Sequence, residues 1–416
     1  MKKDSNRNEV KQEEKGLLSI EEIMLLGAVE NVKMALIAER GDYLKAMDRL
    51  RLEDGRAAIV ANGFGKERTL QTPLGKIDVE APRTRNRGGI KNESGEIENF
   101  VSKIAPPYAR KSLSVEETIP LLYLHGLSTN DFIPALKQMF GKDAAGLSPS
   151  SISRMLDGWK NEMETWKKRD FSDKEYCYIW VDGIYFGARN SNEDLCVLVL
   201  IGATAKGKKE LVMIESGYRE SLESWLSLLR RLKEQNLKAP KLFIGDGALG
   251  FWAAVRQVFP GVKEQRCWVH KTANVLDKLP KSQQKQAKTM IQAIYMSPSK
   301  REALANFNRF IAVYEDKYPK AVECLVKDKD KLFTFYEFPA EHWAHIRTTN
   351  PIESTFATAR LRSKKTRGNW GADRTEFMVY KLLEKASSRW KRLKKHKEVE
   401  KVMLGVRYVD GIAQAA

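Results

Sequence analysis

The strongest constraint on the fold lies between residues 176 and 247. At Tyr176 the apolar pattern changes period, and "YCYIWVD", "CVLVLIGA" and "ELVMIES" follow as short runs rich in β-branched and aromatic residues. Such runs, bounded by Gly, Asn and Lys, read as strands. "SLESWLSLLRRLKEQNL" then sets Leu222, Trp225, Leu226, Leu229 and Leu232 on one side of an amphipathic helix. "KLFIGDG" is a buried-type strand ending in an acid, and "ALGFWAAVRQVF" is another helix. Three consecutive short strands favour an antiparallel meander, and the helix returns the chain to add a fourth strand parallel to the first. If that strand lies beside the first, Asp182, closing "YIWVD", and Asp246, closing "LFIGD", share one edge of the sheet. Gly183 and Gly247 follow them, and glycine permits close approach. The fold class expected is α/β.

Two carboxylates so placed raise each other's pKa unless a cation lies between them. Mg²⁺, with Mn²⁺ as a substitute, suits the position because it takes few protein carboxylates and completes its shell with water and phosphate oxygens. Taken singly, each aspartate is equally a strand-end acid making turn hydrogen bonds; the matching strand–Asp–Gly placement favours the pair. A third acid from a helix crossing that edge would complete a two-metal site, one ion activating the attacking group and the other stabilising the leaving oxygen.

"RTTNPIESTFATARLRSKKTRG" offers that acid. Read alone, Asn350 is a helix N-cap, Pro351 the first helical residue, and Glu353 the third, its carboxylate reaching back to the cap N–H. Glu353 also precedes Arg360, Arg362, Lys364, Lys365 and Arg367, a run suited to a phosphate backbone. Arg347 and Asn350 lie close enough in sequence to join it.

Charge names the partner class. Over 416 residues, 72 Lys and Arg against 54 Asp and Glu leave a net +18, an excess that points to nucleic acid. No apolar run is long enough to span a bilayer. The N-terminus "MKKDSNRNEVKQEEKG" lacks the apolar core of a signal peptide, and four cysteines form no disulfide framework, so a cytoplasmic protein is expected, with no membrane partner. "GATAKGKKE" superficially fits a phosphate loop but lacks the Ser or Thr that binds Mg²⁺; it reads as a hairpin turn, with no nucleotide bound.

Before the strands, residues from Ser19 read as one or two helices, and Thr69–Leu74 with Lys76–Ala81 as a hairpin. "PRTRNRGG" reads as an exposed basic loop. "LSTNDFIPALKQMFG" and "LSPSSISRMLDGWKNEMETW", joined by "KDAAG", look like a helix-turn-helix, with Ser148, Ser150, Ser151 and Arg154 facing phosphates or base edges. An ordinary helical hairpin is the plainer alternative. Residues 271–338 are helical in pattern, and "EFMVYKLLEKASSRWKRLKKHKEVEKVM" reads as one closing basic helix.

"WVDGIYFGAR", "FIGDGALGFWAAV", "QRCWVHKTANVL" and "HIRTTNPIESTFATARLRSKKTRG", in that order, closely resemble the Mutator-type family of bacterial insertion-sequence transposases, over about Gly63 to Leu393. The resemblance implies an RNase H-like core whose acid triad is Asp182, Asp246 and Glu353, with an all-α insertion between the last two and a mainly helical N-terminal DNA-binding region. The expected boundaries are 1–110 and 111–170 for DNA binding, 171–265 for the first part of the core, 266–345 for the insertion and 346–416 for the rest. It further implies a dimer or larger assembly on double-stranded DNA, at terminal inverted repeats and target. Trp343 resembles the aromatic that related transposases stack on a DNA base. "CWVH" matches a Cys-x-x-His element of the family. Cys267 and His270 could join His342 and His345 around zinc, but aromatic flanks argue against that, and a role supporting the active site is expected instead. A metal-dependent nuclease or resolvase of the same fold is the alternative function.

Overall fold

The computed structural model describes residues 18–92, 95–112, 115, 122, 149–186, 195–217, 219–247, 249–365 and 372–414. The chain forms two compact units, Met1–Arg154 and Met155–Ala416.

In the first unit, α1 (Ile20–Met47) opens with a capping box between Ser19 and Glu22. Four strands follow: β1 (Ile59–Phe64), β2 (Arg68–Thr72), β3 (Gly75–Val79) and β4 (Pro82–Asn86). β2 and β3 form the expected hairpin, with Thr72 opposite Gly75. Leu70, Ile77 and Val79 pack with Leu25, Val29 and Val32 of α1. The basic loop expected at "PRTRN" is instead β4, antiparallel to β1. Its inward positions are Pro82, Thr84 and Asn86, while Arg83 and Arg85 are exposed, so apolar periodicity had little to register. Of the expected helix-turn-helix, the first helix and the turn lie outside the described residues; the segment expected as its second helix is helical, α2 (Pro149–Lys167), and runs from the first unit into the second.

The second unit is built on β5 (Tyr176–Phe186), β6 (Leu195–Thr204), β7 (Lys209–Gly217), α3 (Leu222–Glu234), β8 (Leu242–Gly245), α4 (Leu249–Val258) and β9 (Lys263–Arg266). Among the described residues these strands form one five-stranded sheet in the order β7-β6-β5-β8-β9. β5, β6 and β7 are an antiparallel meander, and β5, β8 and β9 run parallel. β5 is buried almost throughout, as a central strand covered on both faces must be. Ile179 and Val181 belong to a core with Trp225, Leu228, Leu229 and Leu232 of α3 and with Phe251, Trp252 and Val255 of α4. On the other face, the Tyr178 hydroxyl lies 2.8 Å from His342 Nδ1, and the Trp180 indole donates to the His345 carbonyl at 2.9 Å.

Two expectations need correction here, and one strand was not expected at all. β5 does not close at Asp182; it stays paired with β6 as far as Phe186 opposite Leu195. The parallel register, with Trp180 beside Ile244, still brings Asp182 level with Asp246 just beyond β8. β9 had no apolar signature, because its buried members are Gln265 and Arg266, and the Gln265 amide is satisfied by the backbone of Leu332 and Phe335. Nor is the closing basic segment one helix. It divides into α12 (Ala372–Ser387) and α13 (Lys397–Met403), and between them Leu393 N–H bonds the Gly207 carbonyl at 3.0 Å, docking the chain on the β6–β7 turn.

After β9 the chain is helical: α5 (Trp268–Leu276), α6 (Lys281–Met296), α7 (Lys300–Tyr314), α8 (Pro319–Val326), α9 (Lys329–Leu332), α10 (Trp343–Ile346) and α11 (Asn350–Lys365). A short hairpin, β10 (Tyr408–Val409) with β11 (Ile412–Ala413), follows α13.

Candidate active site

Asp182 projects from the same face of β5 as Tyr178 and Trp180, since side chains alternate along a strand. It is 5% exposed. Oδ1 accepts the Gly183 N–H at 2.9 Å, whereas the buried Oδ2 receives no donor among the described residues. Burial first, and then the charge of Asp246, push its carboxyl well above the usual carboxylate range, with His270 opposing.

Asp182 is shared by two groups of ligand atoms. With Glu220 and Asp246 it forms one set within 4.8 Å, and with His270 and Glu353 another. Glu220 lies between β7 and α3, directly before Ser221, whose side chain caps α3. A Cβ on Gly183 would overlap the Glu220 carboxylate. Burial, followed by the charge of Asp246, pushes Glu220 up to about 7, while a hydrogen bond from Tyr185 opposes. Gly247 has a φ of +94°, and a Cβ there would overlap the Arg266 guanidinium. Close approach at the two Asp–Gly steps is thus made by side chains of the protein itself.

Glu353 departs from the expected cap. α11 begins at Asn350, and the Thr349 carbonyl accepts from the N–H groups of Ile352 and Glu353. Asn350 is therefore the first helical residue, and Glu353 sits one position deeper than a capping box requires. Its carboxylate instead meets His270 Nε2 at 3.3 Å and Arg360 Nη1 at 3.2 Å. The His270 hydrogen bond, and then Arg360 against the opposing effect of burial, hold Glu353 down to about 2.

His270 occupies the first turn of α5, which starts after Cys267. Cys267 Sγ accepts from the Thr349 N–H at 3.3 Å and the Thr349 hydroxyl at 3.4 Å, and that hydroxyl lies 3.3 Å from His270 Nδ1. Burial would lower the His270 pKa, but hydrogen bonds to Cys267 and Glu353 prevail and lift it to about 11. Burial would raise Cys267, yet His270 holds it below the usual thiol range. His270 thus stands between Cys267 and Glu353, linking the starts of α5 and α11.

Residues 2–393 match the family described as Transposase, Mutator family. The chain is 53% identical over 277 residues to the transposase for insertion sequence element IS6120 of Mycolicibacterium smegmatis, spanning 67% of this chain and 85% of that protein. The chain belongs to the Mutator family of transposases. It is also 45% identical over 281 residues to the transposase for insertion sequence element IST2 of Acidithiobacillus ferrooxidans, spanning 67% of this chain and 94% of that protein. A more distant relative, the transposase for insertion sequence element IS256 in transposon Tn4001 of Staphylococcus aureus, is 29% identical over 332 residues, spanning 78% and 80%.

The other candidate residues of this Mutator-family chain are dispersed. Trp343 is half-buried, edge-on to Phe335 and Tyr336, and donates its indole N–H to the Phe338 carbonyl at 2.9 Å. Arg347 donates to the Tyr295 carbonyl at 2.8 Å. Arg362, Lys364 and Lys365 lie on α11 with side chains outside the described set, and Arg367 lies outside the described residues altogether. Ser150 and Ser151 begin α2, and Arg154 is exposed on it. The sequence reading missed Glu220. Its one signal, an acid directly before a helix-capping serine, is too common to single out.

Proposed function

We propose that this Mutator-family chain is a DNA transposase of the acid-triad type, with Asp182, Asp246 and Glu353 as its catalytic, ion-holding residues. Asp182 carries the reading: it is buried, one oxygen lacks a donor among the described residues, and acids from three other segments, Glu220, Asp246 and Glu353, converge on it. A divalent ion fits such a donor set, because carboxylate oxygens are hard ligands and their mutual repulsion needs a cation. Mg²⁺ is the ion proposed. The sheet order, with β6 alone running against its neighbours, supports an RNase H-like core, and α5–α10 read as the helical insertion. The net charge of +18 supports residues 1–170 and the α11 basic run as contacts for inverted-repeat and target DNA. Paired DNA ends imply at least a dimer.

The reaction is two in-line displacements at phosphorus. Water attacks a phosphodiester at the element end and frees a 3′-OH; that 3′-OH then attacks a target phosphodiester, whose own 3′-oxygen leaves. No covalent protein intermediate is needed. Bound divalent ions supply Lewis-acid activation of the attacking oxygen and neutralise charge at the leaving one. Asp182 and Asp246 would hold the ions at the sheet, and His270 orients the Glu353 carboxylate that would join them. Before an ion binds, Arg360 meets the outer Glu353 oxygen.

The test is Mg²⁺-dependent nicking and joining of a labelled duplex carrying the element's terminal repeat. Asp182→Asn, Asp246→Asn and Glu353→Gln should abolish both products while binding persists. Cutting without joining would favour the nuclease reading, and normal cutting by Glu353→Gln would remove Glu353 from the triad.

A further inference from the structure

Glu220 is no member of that triad, yet the fold makes room for it twice. Its carboxylate occupies the space where a side chain at residue 183 would start. Its backbone is met by Gly250 of α4, where a Cβ would lie 2.9 Å from the Glu220 carbonyl oxygen and 2.6 Å from Leu222 N. The segment bearing Glu220 is thus seated between β5, which carries Asp182, and the helix that follows Asp246. A second observation comes from the buried member of the group. Asp182 Oδ2 is buried with no donor among the described residues, and a buried carboxylate oxygen left so is costly unless a cation meets it.

We propose that Glu220 is a fourth ion-holding acid, forming with Asp182 and Asp246 a divalent-cation subsite that shares Asp182 with the subsite on the Glu353 side. The inference rests on the metal-dependent reading above. It assigns the two groups of ligand atoms around Asp182 to two ions rather than one. Three carboxylates select a hard cation such as Mg²⁺ or Mn²⁺ over a thiol-seeking one.

The test is Mn²⁺ binding to the full-length, DNA-free protein, followed by the electron paramagnetic resonance of free Mn²⁺ and by calorimetry, so that no turnover is needed. Glu220→Gln should weaken binding of one ion roughly tenfold or more, and Glu353→Gln should weaken the other. Glu220→Asp keeps the charge but withdraws it by one methylene, and should weaken the same ion as Glu220→Gln. Wild-type isotherms for both Glu220 variants would overturn the proposal. If Asp182→Asn also binds Mn²⁺ as wild type does, the metal-dependent reading itself fails, an outcome distinct from failure at Glu220 alone. Thermal unfolding without metal checks the fold, and should Glu220→Gln unfold early, the Glu220→Asp isotherm decides.

Discussion

His270 Nε2 stands 3.3 Å from Glu353 Oε1, and its other nitrogen faces the Thr349 hydroxyl at 3.3 Å. A residue gripped on both sides in this way fixes the direction of the carboxylate it holds. Removing such an orienting partner costs about 10–100-fold in metal affinity or activity. His270→Ala should therefore reduce nicking by that factor with DNA affinity unchanged. Equal losses of nicking and DNA affinity would place His270 in DNA binding instead.

The Gly183–Glu220 contact predicts a coupling. Gly183→Ala should cost about 1–3 kcal/mol of stability by overpacking. In a Glu220→Ala background most of that cost should vanish, because the overlapping carboxylate is gone; denaturant unfolding of the four proteins measures the coupling. Gly250→Ala should cost more than Gly183→Ala, since the atoms it meets are backbone of Ser221 and Leu222 and cannot swing aside. Additive costs for Gly183→Ala and Glu220→Ala would dismiss the contact.

Asp246 and Glu353 could be singled out from the sequence for different reasons. Asp246 ends an apolar run whose period is plain, and the β5–β8 pairing follows from strand order. Glu353 was identified beside a basic run, but its helix register was wrong by one residue, because Asn350 is as good a cap in sequence as Thr349. Glu220 and β9 were illegible for one shared reason. Their residues are polar, and their neighbours lie far away in sequence: Gly183 and Asp246 beside Glu220, Leu332 and Phe335 around Gln265. The break between α12 and α13 was hidden similarly, since local propensity favours helix and the docking site at Gly207 lies far away in sequence.

Asp328 joins two deeply buried cations beneath the site. It lies 3.3 Å from Arg266 Nε and contacts Lys271 Nζ, and those two side chains are 5% and 3% exposed. Burial alone would raise its pKa, but the hydrogen bond and charge of Lys271, with Arg266, hold the carboxyl below its usual range. Its stabilisation is therefore present above the unfolded-state pKa of about 3.9 and is lost as pH falls through the folded value. Asp328→Asn should cost about 3–5 kcal/mol at neutral pH, because it removes the counter-charge of two buried cations, Lys271 keeping only the Cys324 carbonyl. It should also flatten the acid limb of the stability–pH curve; a variant that keeps that limb would show other carboxylates responsible.

Arg360 pairs with Glu353 in the structure and would meet a DNA phosphate in the proposed reaction. Its Nη1 lies 3.2 Å from Glu353 Oε2, yet the side chain is 51% exposed on a helix that continues into the basic run. A divalent ion binding Glu353 would compete with the guanidinium for that carboxylate, leaving Arg360 to face a DNA phosphate. Loss of one phosphate contact lowers the slope of log affinity against log salt by about 0.9. Arg360→Gln should show that decrease on inverted-repeat DNA with Mg²⁺ present. With the divalent ion removed, the wild-type and variant slopes should converge, because the arginine then stays on Glu353. An unchanged slope in Mg²⁺, together with slower nicking, would assign Arg360 to the acid alone.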